Sequence, residues 1–187
     1  QECAESRILK ILKNGDSVDT AGNGDTYEVV TAETSFYGES GGQVGDTGTI
    51  SGENFRFQVT DTLKPLPDLI VHRGSLQKGE IRVGDDVRLC VDGKKRQSTA
   101  NNHTATHILQ ALLRSQLGNH VKQAGSLVTP DRLRFDFTHF EALKKDDLKK
   151  IEERANEFIR ENFPVAVNVV PQKEAIEMGA LALFGEK

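Results

Sequence analysis

Two histidines, His103 and His107, stand four residues apart in a stretch whose apolar residues recur at helical spacing. At 3.6 residues per turn, side chains four positions apart project from the same face of a helix, about one turn from each other. Two imidazoles placed in this way can hold one zinc ion between them. The spacing is therefore compatible with half of a metal site. The alternative is that both rings form hydrogen bonds with neighbours or solvent, and the spacing alone does not decide between the two.

The residues around this pair limit the kinds of zinc site to which the two histidines could belong. In zinc peptidases with the same spacing, a glutamate directly after the first histidine acts as the base, and Thr104 occupies that position here. A zinc peptidase is therefore not favoured. A zinc site also needs three or four protein ligands. The other histidines, His72, His120 and His139, have no partner at ligand spacing, and we expect them to be hydrogen-bonded structural residues at a strand end, beyond a helix end and in a turn.

The two cysteines, Cys3 and Cys90, lie far apart in the sequence. Neither has a second cysteine or a histidine at ligand spacing, so the sequence predicts neither a disulfide framework nor a cysteine-rich zinc site. We therefore expect both cysteines to be incidental.

Charge is distributed unevenly along the chain. Residues 1–93 carry nine Lys or Arg against sixteen Asp or Glu, whereas residues 94–187 carry fifteen against twelve. A phosphate-bearing partner would prefer the second half, although domains without such a partner often differ as much. No apolar run approaches the length of a membrane span, and the first residues do not resemble a signal peptide, so we expect a cytoplasmic protein with no membrane partner.

The pattern of apolar residues changes at the basic stretch 93–96, which we take as a domain junction. Before it, short alternating runs separated by turn residues predict strands, and strands of this length indicate a small closed or nearly closed β-barrel over residues 1–93. After it, helical spacing predominates. Helices mixed with a few strands predict an α+β domain over residues 94–187, in which helices pack on one face of an antiparallel sheet.

The second half divides into several predicted elements. These are a helix through the histidine pair to a left-handed cap at Gly118, a strand at 133–137, a helix ended by Pro164, a buried strand at 165–170 and a short helix at 174–178 that stops at Gly179. The first helix is expected to be capped by Asn101, Asn102 or Ser98. The second is expected to bury one apolar side, made of Leu148, Ile151, Ala155, Phe158 and Ile159.

Five sequence blocks resemble, in the same order, the editing region of alanyl-tRNA synthetases. The blocks are residues 36–48 (FYGESGGQVGDTG), 102–107 (NHTATH), 121–128 (VKQAGSLV), 133–139 (LRFDFTH) and 179–187 (GALALFGEK). The first is similar to the glycine-rich barrel segment that precedes the editing domain, and the others are similar to the editing domain itself. That domain is shared with freestanding alanyl-tRNA deacylases and is related to the editing domain of threonyl-tRNA synthetase. The resemblance implies a β-barrel followed by an α+β editing domain.

The resemblance also implies roles for individual residues. His103 and His107 would be the first two zinc ligands, and Gln123 would be the catalytic and substrate-binding residue that lines the pocket for the misattached amino acid. Gly41 and Gly42 would let the backbone approach the tRNA acceptor end. Without the resemblance, the two glycines predict a tight turn with positive φ, and Gln123 a solvated strand or loop residue.

In this family a second ligand pair, a Cys and a His separated by three residues, lies beyond the block that ends at Lys187. We therefore expect the chain to be a truncated piece of a longer protein, with an incomplete zinc site. Weak or absent zinc binding and no useful deacylation by the chain alone are the corresponding expectations.

The activity implied for the parent is hydrolysis of Ser-tRNA(Ala) or Gly-tRNA(Ala), which corrects errors of a separate ATP-dependent domain that joins alanine to tRNA(Ala). Selection by size does not easily reject glycine or serine at the synthetic site, so a second hydrolytic site is useful. Basic residues available for tRNA phosphates are Lys94, Lys95, Arg96, Arg114 and Lys122. Two alternatives stay open, a freestanding editing deacylase and a noncatalytic RNA-binding module whose histidine pair is structural.

Overall fold

The computed structural model describes residues 3–166 and 168–180. Contacts within the chain divide it into two compact units. Unit 1 comprises Gln1–His103 and Ser126–Arg134, and unit 2 comprises Thr104–Gly125 and Phe135–Lys187. The domain junction at residues 93–96 stays a prediction from the sequence.

The secondary structure follows the predicted order of strands, then helices mixed with strands. The strands are β1 (Cys3–Lys13), β2 (Asp16–Val18), β3 (Thr20–Ala21), β4 (Thr26–Thr31), β5 (Gly48–Ser51), β6 (Arg56–Leu66), β7 (Leu69–Lys78), β8 (Ile81–Arg82), β9 (Asp86–Val91), β10 (Gln123–Val128) and β11 (Leu133–Phe137). The helices are α1 (Gly93–Leu117), α2 (Lys145–Glu161) and α3 (Gln172–Glu177). None of these helices is long and apolar enough to cross a membrane.

Unit 1 contains the barrel that the sequence predicts. Its antiparallel strands follow the order β1, β4, β7, β6, β5 and β9, and the sheet closes because β9 also pairs with β1. Alternate residues point into the barrel, as Val87, Leu89 and Val91 of β9 and Phe57 and Val59 of β6 show by their burial. The expected small closed β-barrel is therefore confirmed.

His72 lies inside β7 and not at a strand end, so that part of the sequence prediction is wrong. Its ring is fully buried and edge-on to Phe36, with the centroids 5.1 Å apart. Its Nε2 is 2.8 Å from the Thr34 hydroxyl and its Nδ1 is 3.0 Å from the Val29 carbonyl oxygen. Burial lowers the pKa of His72 to about 4, so the ring is neutral near pH 7. The predicted role as a hydrogen-bonded structural histidine is confirmed.

Cys3 and Cys90 form a disulfide, so the expectation that both are incidental is wrong. The two residues are direct partners in the ladder between β1 and β9, and their Cα atoms are 4.2 Å apart. Closure of the barrel brings together positions 87 residues apart in the sequence. The spacing of cysteines along the sequence does not reveal such a pair, because the order of the strands in the barrel determines which cysteines meet.

The long helix α1 begins earlier than the sequence predicts. Its first turn is the basic stretch that starts at Gly93, and the Asp92 carboxylate accepts hydrogen bonds from the backbone N–H groups of Lys94 and Lys95, each at 3.2 Å. Asp92 is therefore the N-terminal cap, and the predicted caps Asn101, Asn102 and Ser98 lie inside the helix. At the other end, Gly118 has φ +115°, as expected for a left-handed cap.

Unit 2 has an apolar core built from two helices and a strand. Helix α1 contributes Leu109, Leu112, Leu113 and Leu117, β11 contributes Phe135 and Phe137, and α2 contributes Ile151. Val121 and Leu143, from the connecting segments, complete this core. Strands β10 and β11 pair with each other, and each of them runs from one unit into the other. The predicted helix through the histidine pair and the predicted strand at 133–137 are both confirmed.

Helix α2 is present, but its predicted apolar side is only partly covered. Ile151 is buried, whereas the large apolar residues Leu148, Phe158 and Ile159 are exposed. The helix ends at Glu161 because Asn162 adopts a left-handed conformation with φ 51° and donates its N–H to the Ile159 carbonyl oxygen. Pro164 follows two residues later and does not itself end the helix.

The predicted buried strand at 165–170 is wrong for the residues that the structure describes there. Residues 163–166 and 168–171 adopt no strand conformation, and Val169 is 98% exposed. A run of valines becomes a buried strand only beside a pairing strand, and no strand in the described ranges pairs with this segment. Further on, α3 and Gly179 at φ +91° confirm the short helix and its stop. Residues 181–187, most of the fifth sequence block, and Val167 lie outside the described residues.

Candidate functional site

The glycine-rich block of unit 1 forms a tight turn at residues 40–43. The Ser40 N–H donates to the Gln43 carbonyl oxygen at 3.2 Å, and the Gln43 N–H donates back to the Ser40 carbonyl oxygen at 2.9 Å. Between them Gly41 and Gly42 have φ values of +57° and +80°, which side-chain-bearing residues rarely adopt. The turn with positive φ that these glycines predict is therefore observed.

Backbone hydrogen bonds join this turn to the end of β10. The Val128 N–H donates to the Gly42 carbonyl oxygen at 2.8 Å, and the Val44 N–H donates to the Val128 carbonyl oxygen at 3.1 Å. A Cβ atom on Gly42 would lie 2.6 Å from the Ser126 carbonyl oxygen, whereas one on Gly41 would meet nothing within 4 Å. Gly42 is therefore needed both for its backbone conformation and for this close approach.

His103 of α1 contacts the same turn. Its Nδ1 is 2.6 Å from the side-chain oxygen Oε1 of Gln43. An amide oxygen only accepts hydrogen bonds, so Nδ1 carries the proton and donates it. The neighbouring Asn102 donates from its side-chain amide to the Thr129 carbonyl oxygen at 2.8 Å, which ties the same turn of the helix to the chain after β10. Sequence reasoning did not single out Gln43, although it lies inside the quoted glycine-rich block.

His107 stands one helical turn after His103, in the part of α1 that belongs to unit 2. Its side chain is exposed, whereas Thr106 and Gln110 of the same part are buried. Arg114, about two turns after His107, is half-buried and donates from Nη1 to the Val121 carbonyl oxygen at 3.1 Å. Polar side chains that are close to the histidines along the helix are therefore partly or fully buried in unit 2.

Gln123, the predicted catalytic and substrate-binding residue, is the first residue of β10 and is half-buried in unit 2. The strand is held there by the Thr138 N–H, which donates to the Lys122 carbonyl oxygen at 3.0 Å. Gln123 therefore has a fixed backbone position, and its role stays a prediction.

The residues present do not complete a zinc site. Among residues 3–166 and 168–180, no three His, Cys, Asp or Glu side chains are placed to hold one metal ion. His103 and His107 offer at most two donors from one helix, and zinc sites in proteins use three or four protein ligands.

His120 and His139 form a hydrogen-bonded pair in unit 2, a contact that their spacing in the sequence does not predict. The His120 Nε2 and the His139 Nδ1 are 2.9 Å apart, and the ring of Phe140 stacks on His120 with a centroid distance of 4.5 Å. Thr138 brings the two loops together, because its hydroxyl donates to the His120 carbonyl oxygen at 3.4 Å. Hydrogen bonding was expected for these histidines, but their mutual contact depends on the fold.

The basic residues proposed for phosphate contacts differ in availability. Arg96 forms an ion pair with Asp46 and donates to the Ser35 carbonyl oxygen at 2.7 Å, so its guanidinium is already committed within unit 1. Lys94, Lys95 and Lys122 are exposed. Among the predicted contacts, these three lysines have the side chains that solvent and phosphate groups reach directly.

Each unit also has a cavity. In unit 1, a groove of 450 Å³ lies beside the glycine-rich turn and is lined by Glu39, Ser40, Gly41, Gly42, Leu63, Lys64 and Pro65. In unit 2, a more apolar cavity of 320 Å³ lies between α1 and α2 and is lined mainly by Ile108, Leu112, Ile151 and Phe158. Only the first cavity contains residues that the sequence analysis assigned to substrate binding.

Comparison with known proteins defines the family. A family model described as tRNA synthetases class II (A) matches residues 1–95, half of the chain. The chain therefore belongs to the class II (A) tRNA synthetase family.

Individual relatives are more specific. The chain is 50% identical over 184 residues, 98% of its length, to an alanine–tRNA ligase of Anaeromyxobacter sp. (strain Fw109-5). It is 49% identical over 186 residues, 100% of its length, to the alanine–tRNA ligase of Chelativorans sp. (strain BNC1), and 48% identical over 182 residues, 97% of its length, to that of Carboxydothermus hydrogenoformans. The chain spans only about one fifth of these relatives, 20% of the first and 21% of the other two. The resemblance to alanyl-tRNA synthetases is thereby confirmed.

Proposed function

We propose that the chain is the editing region of an alanine–tRNA ligase, and that the complete protein hydrolyses the ester that joins serine or glycine to tRNA(Ala). Identity of 48 to 50% to ligases of that name, over nearly the whole chain, supports the ligase assignment. The observation that carries the editing assignment is the docking of the glycine-rich turn onto both His103 and the end of β10. Three of the five family-like blocks meet there, although they are distant in sequence.

The groove beside the turn supports binding of the tRNA acceptor end. The groove is an open surface depression of 450 Å³ beside the turn, so a terminal adenosine with its amino acid can reach it from solvent. Gly41 and Gly42 present backbone without side chains, so a ribose or ester can approach closely. Lys64, which also lines the groove, supplies a positive charge for a phosphate group. As a separate part of the proposal, Gln123 of unit 2 is assigned to contact with the misattached amino acid.

The cofactors and location belong to the same proposal. The complete ligase would use ATP in its synthetic part and act in the cytoplasm on tRNA(Ala). Zinc binding would use His103 and His107 together with ligands from elsewhere in the polypeptide, because the described residues supply no third donor. For the chain alone we propose weak or absent zinc binding and no useful deacylation.

The direct test compares two activities of the complete ligase that contains this segment. Replacement of the exposed His107 by alanine is expected to lower the rate of serine release from Ser-tRNA(Ala) by at least about 100-fold, while charging with alanine is unchanged. Gln77→Leu, on the barrel surface, serves as the matched control and is expected to alter neither activity. Serine release at the normal rate by the His107→Ala ligase would refute the editing assignment.

The chain by itself provides a second test. Metal analysis of the purified chain, with serine release measured beside it, is expected to show zinc well below one ion per chain and no turnover. Stoichiometric zinc with rapid release would contradict the proposed need for additional ligands.

A noncatalytic RNA-binding module is the second candidate function. It is favoured by one observation, that His103 forms a hydrogen bond with Gln43 of the glycine-rich turn, as a structural histidine would. In that case the histidine pair would be structural, and the complete protein would bind tRNA(Ala) normally but release serine no faster with this segment than without it.

A further inference from the structure

Gln43 has no assigned role, yet its side chain contacts one of the two histidines on which the proposed function depends. We propose that Gln43 is a positioning residue, which holds the His103 ring in the tautomer that is protonated on Nδ1 and thereby presents Nε2 as an acceptor to the editing site. The role of Nε2 in the editing site rests on the proposed function. The hydrogen bond between Gln43 and His103, and the tautomer that it selects, are independent of that function.

The backbone of Gln43 is held firmly enough to position a partner. Two hydrogen bonds with Ser40 close the turn, and the residues on either side of Gln43 both bond to Val128 of β10. Gly42 fits against Ser126 with no room for a side chain. Because the turn cannot shift without breaking these contacts, the amide group of Gln43 has a defined place from which to meet His103.

The chemistry of the contact decides the tautomer. The two nitrogens of a neutral imidazole differ, and the one that carries the proton is set by the hydrogen bond that the ring makes. Oε1 of Gln43 lies 2.6 Å from Nδ1 of His103 and has no proton to give. Nδ1 must therefore donate, and the lone pair of the ring is on Nε2. A histidine fixed in this way by an outer partner accepts at Nε2 with a defined direction.

The consequence is a specific link between the barrel and the editing chemistry. The glycine-rich turn would do more than leave space for the acceptor end, since it would also set which nitrogen of His103 carries the lone pair that zinc binding requires. A change of Gln43 should then reduce editing without unfolding the barrel.

Nuclear magnetic resonance tests the tautomer directly. The chain is labelled with ¹⁵N-histidine, and the side-chain nitrogens are recorded at pH 8 with a metal chelator present. The chain has five histidines, so His103 is assigned by its absence in a His103→Asn spectrum. The wild type is expected to show His103 protonated on Nδ1. Gln43→Leu, which removes the acceptor at similar volume, is expected to move the proton largely to Nε2, whereas Gln43→Glu retains an acceptor and is expected to keep it on Nδ1.

Two internal controls separate positioning from unfolding. The buried His72 reports the barrel in the same spectra, and its signals are expected to stay in place in all variants. Gln77→Leu changes an exposed glutamine of β7 in the same chemical way and is expected to leave His103 unaltered. A wild-type His103 protonated on Nε2, or an unchanged tautomer in Gln43→Leu with His72 intact, would overturn the proposal.

Activity of the complete ligase tests whether the position matters. Gln43→Leu is expected to lower kcat/KM for serine release by about 10 to 100-fold, as loss of an outer partner typically does, and Gln43→Glu to restore most of it. Normal release by Gln43→Leu, beside a large loss in His107→Ala, would overturn the positioning role while leaving the editing function in place. Normal release by both variants would instead refute the editing function.

Discussion

Gly41 and Gly42 are adjacent in one turn, and both have positive φ, but only Gly42 lies against other backbone. Replacement of Gly42 by alanine places a Cβ 2.6 Å from the Ser126 carbonyl oxygen, so the turn must move away from β10. Gly41→Ala has only the backbone conformation to overcome, about 1 kcal/mol. Gly42→Ala adds the overlap and is expected to lower the free energy of unfolding by about 2 to 4 kcal/mol.

Urea unfolding of the two alanine variants measures this difference. Equal losses in both would show that the turn does not pack closely on β10. The Gly41→Ala variant is the matched control, because it changes the same residue type one position away at a site with open space.

His72 makes the stability of the barrel depend on pH. Its pKa is lowered to about 4 by burial, below the ordinary value of 6.5. Above pH 6.5 the ring is neutral in both the folded and the unfolded chain. As the pH falls from 6.5 toward 4, only the unfolded chain takes up the proton, so the free energy of unfolding decreases, by about 3 kcal/mol in total. Below about pH 4 the folded chain is protonated too, and this loss stops growing.

Comparison with His72→Gln isolates this contribution from that of the carboxylates. Glutamine retains hydrogen-bonding groups but does not titrate in this range. The unfolding free energy of the wild type, minus that of His72→Gln, is expected to decrease as the pH falls from 6.5 to 4. A difference that stays constant across this range would show that His72 is not held neutral in the folded state.

At the scale of elements, the first turn of α1 is tied to the loop before β5 by Arg96 and Asp46. The Asp46 side chain is 7% exposed, and its carboxylate also accepts the Tyr37 N–H at 2.6 Å. Asp46→Ala leaves a half-buried guanidinium and a backbone donor without this acceptor. The expected loss in unfolding free energy is about 2 to 3 kcal/mol, lower than for a fully buried pair because the Arg96 side chain is 28% exposed.

The control for this prediction is another Arg–Asp ion pair, which lies on the barrel surface. Arg7 and Asp86 are in contact at 2.8 Å, but both side chains are largely exposed. Asp86→Ala is therefore expected to have a much smaller effect in the same urea experiment. Equal effects of the two alanine variants would mean that the burial of Asp46 contributes nothing.

The elements that the sequence predicted well are those determined by neighbouring residues. Alternation of apolar residues predicts the strand β9. Helical spacing predicts the body of α1, and Gly118 predicts its end. The start of α1 was missed because basic residues in its first turn resemble a linker, whereas the cap is the preceding Asp92. The segment 165–170 was predicted as a strand from its valines, but a strand also depends on a partner that local sequence does not reveal.

At the scale of the whole molecule, strand pairing and loop contacts decide which distant residues meet. His103 with Gln43, and His120 with His139, are contacts between residues 60 and 19 positions apart. The resemblance to a family identified the blocks but not these contacts. The candidate site was therefore predictable as a set of residues, and its hydrogen bonds were not.

The disulfide between Cys3 and Cys90 is the longest-range of these contacts and leads to a prediction for the entire barrel. It joins residues 87 positions apart, so it restricts nearly the whole of unit 1 when the chain is unfolded. A closed loop of this length stabilises the folded state by about 4 to 5 kcal/mol in the chain-entropy model. Reductant is therefore expected to lower the free energy of unfolding of the wild type by up to about this amount. The double variant Cys3→Ser with Cys90→Ser is expected to match the reduced wild type and to be insensitive to reductant. Titration of free thiols in the unfolded, unreduced chain should detect none, and two reactive thiols with no effect of reductant on unfolding would contradict the prediction.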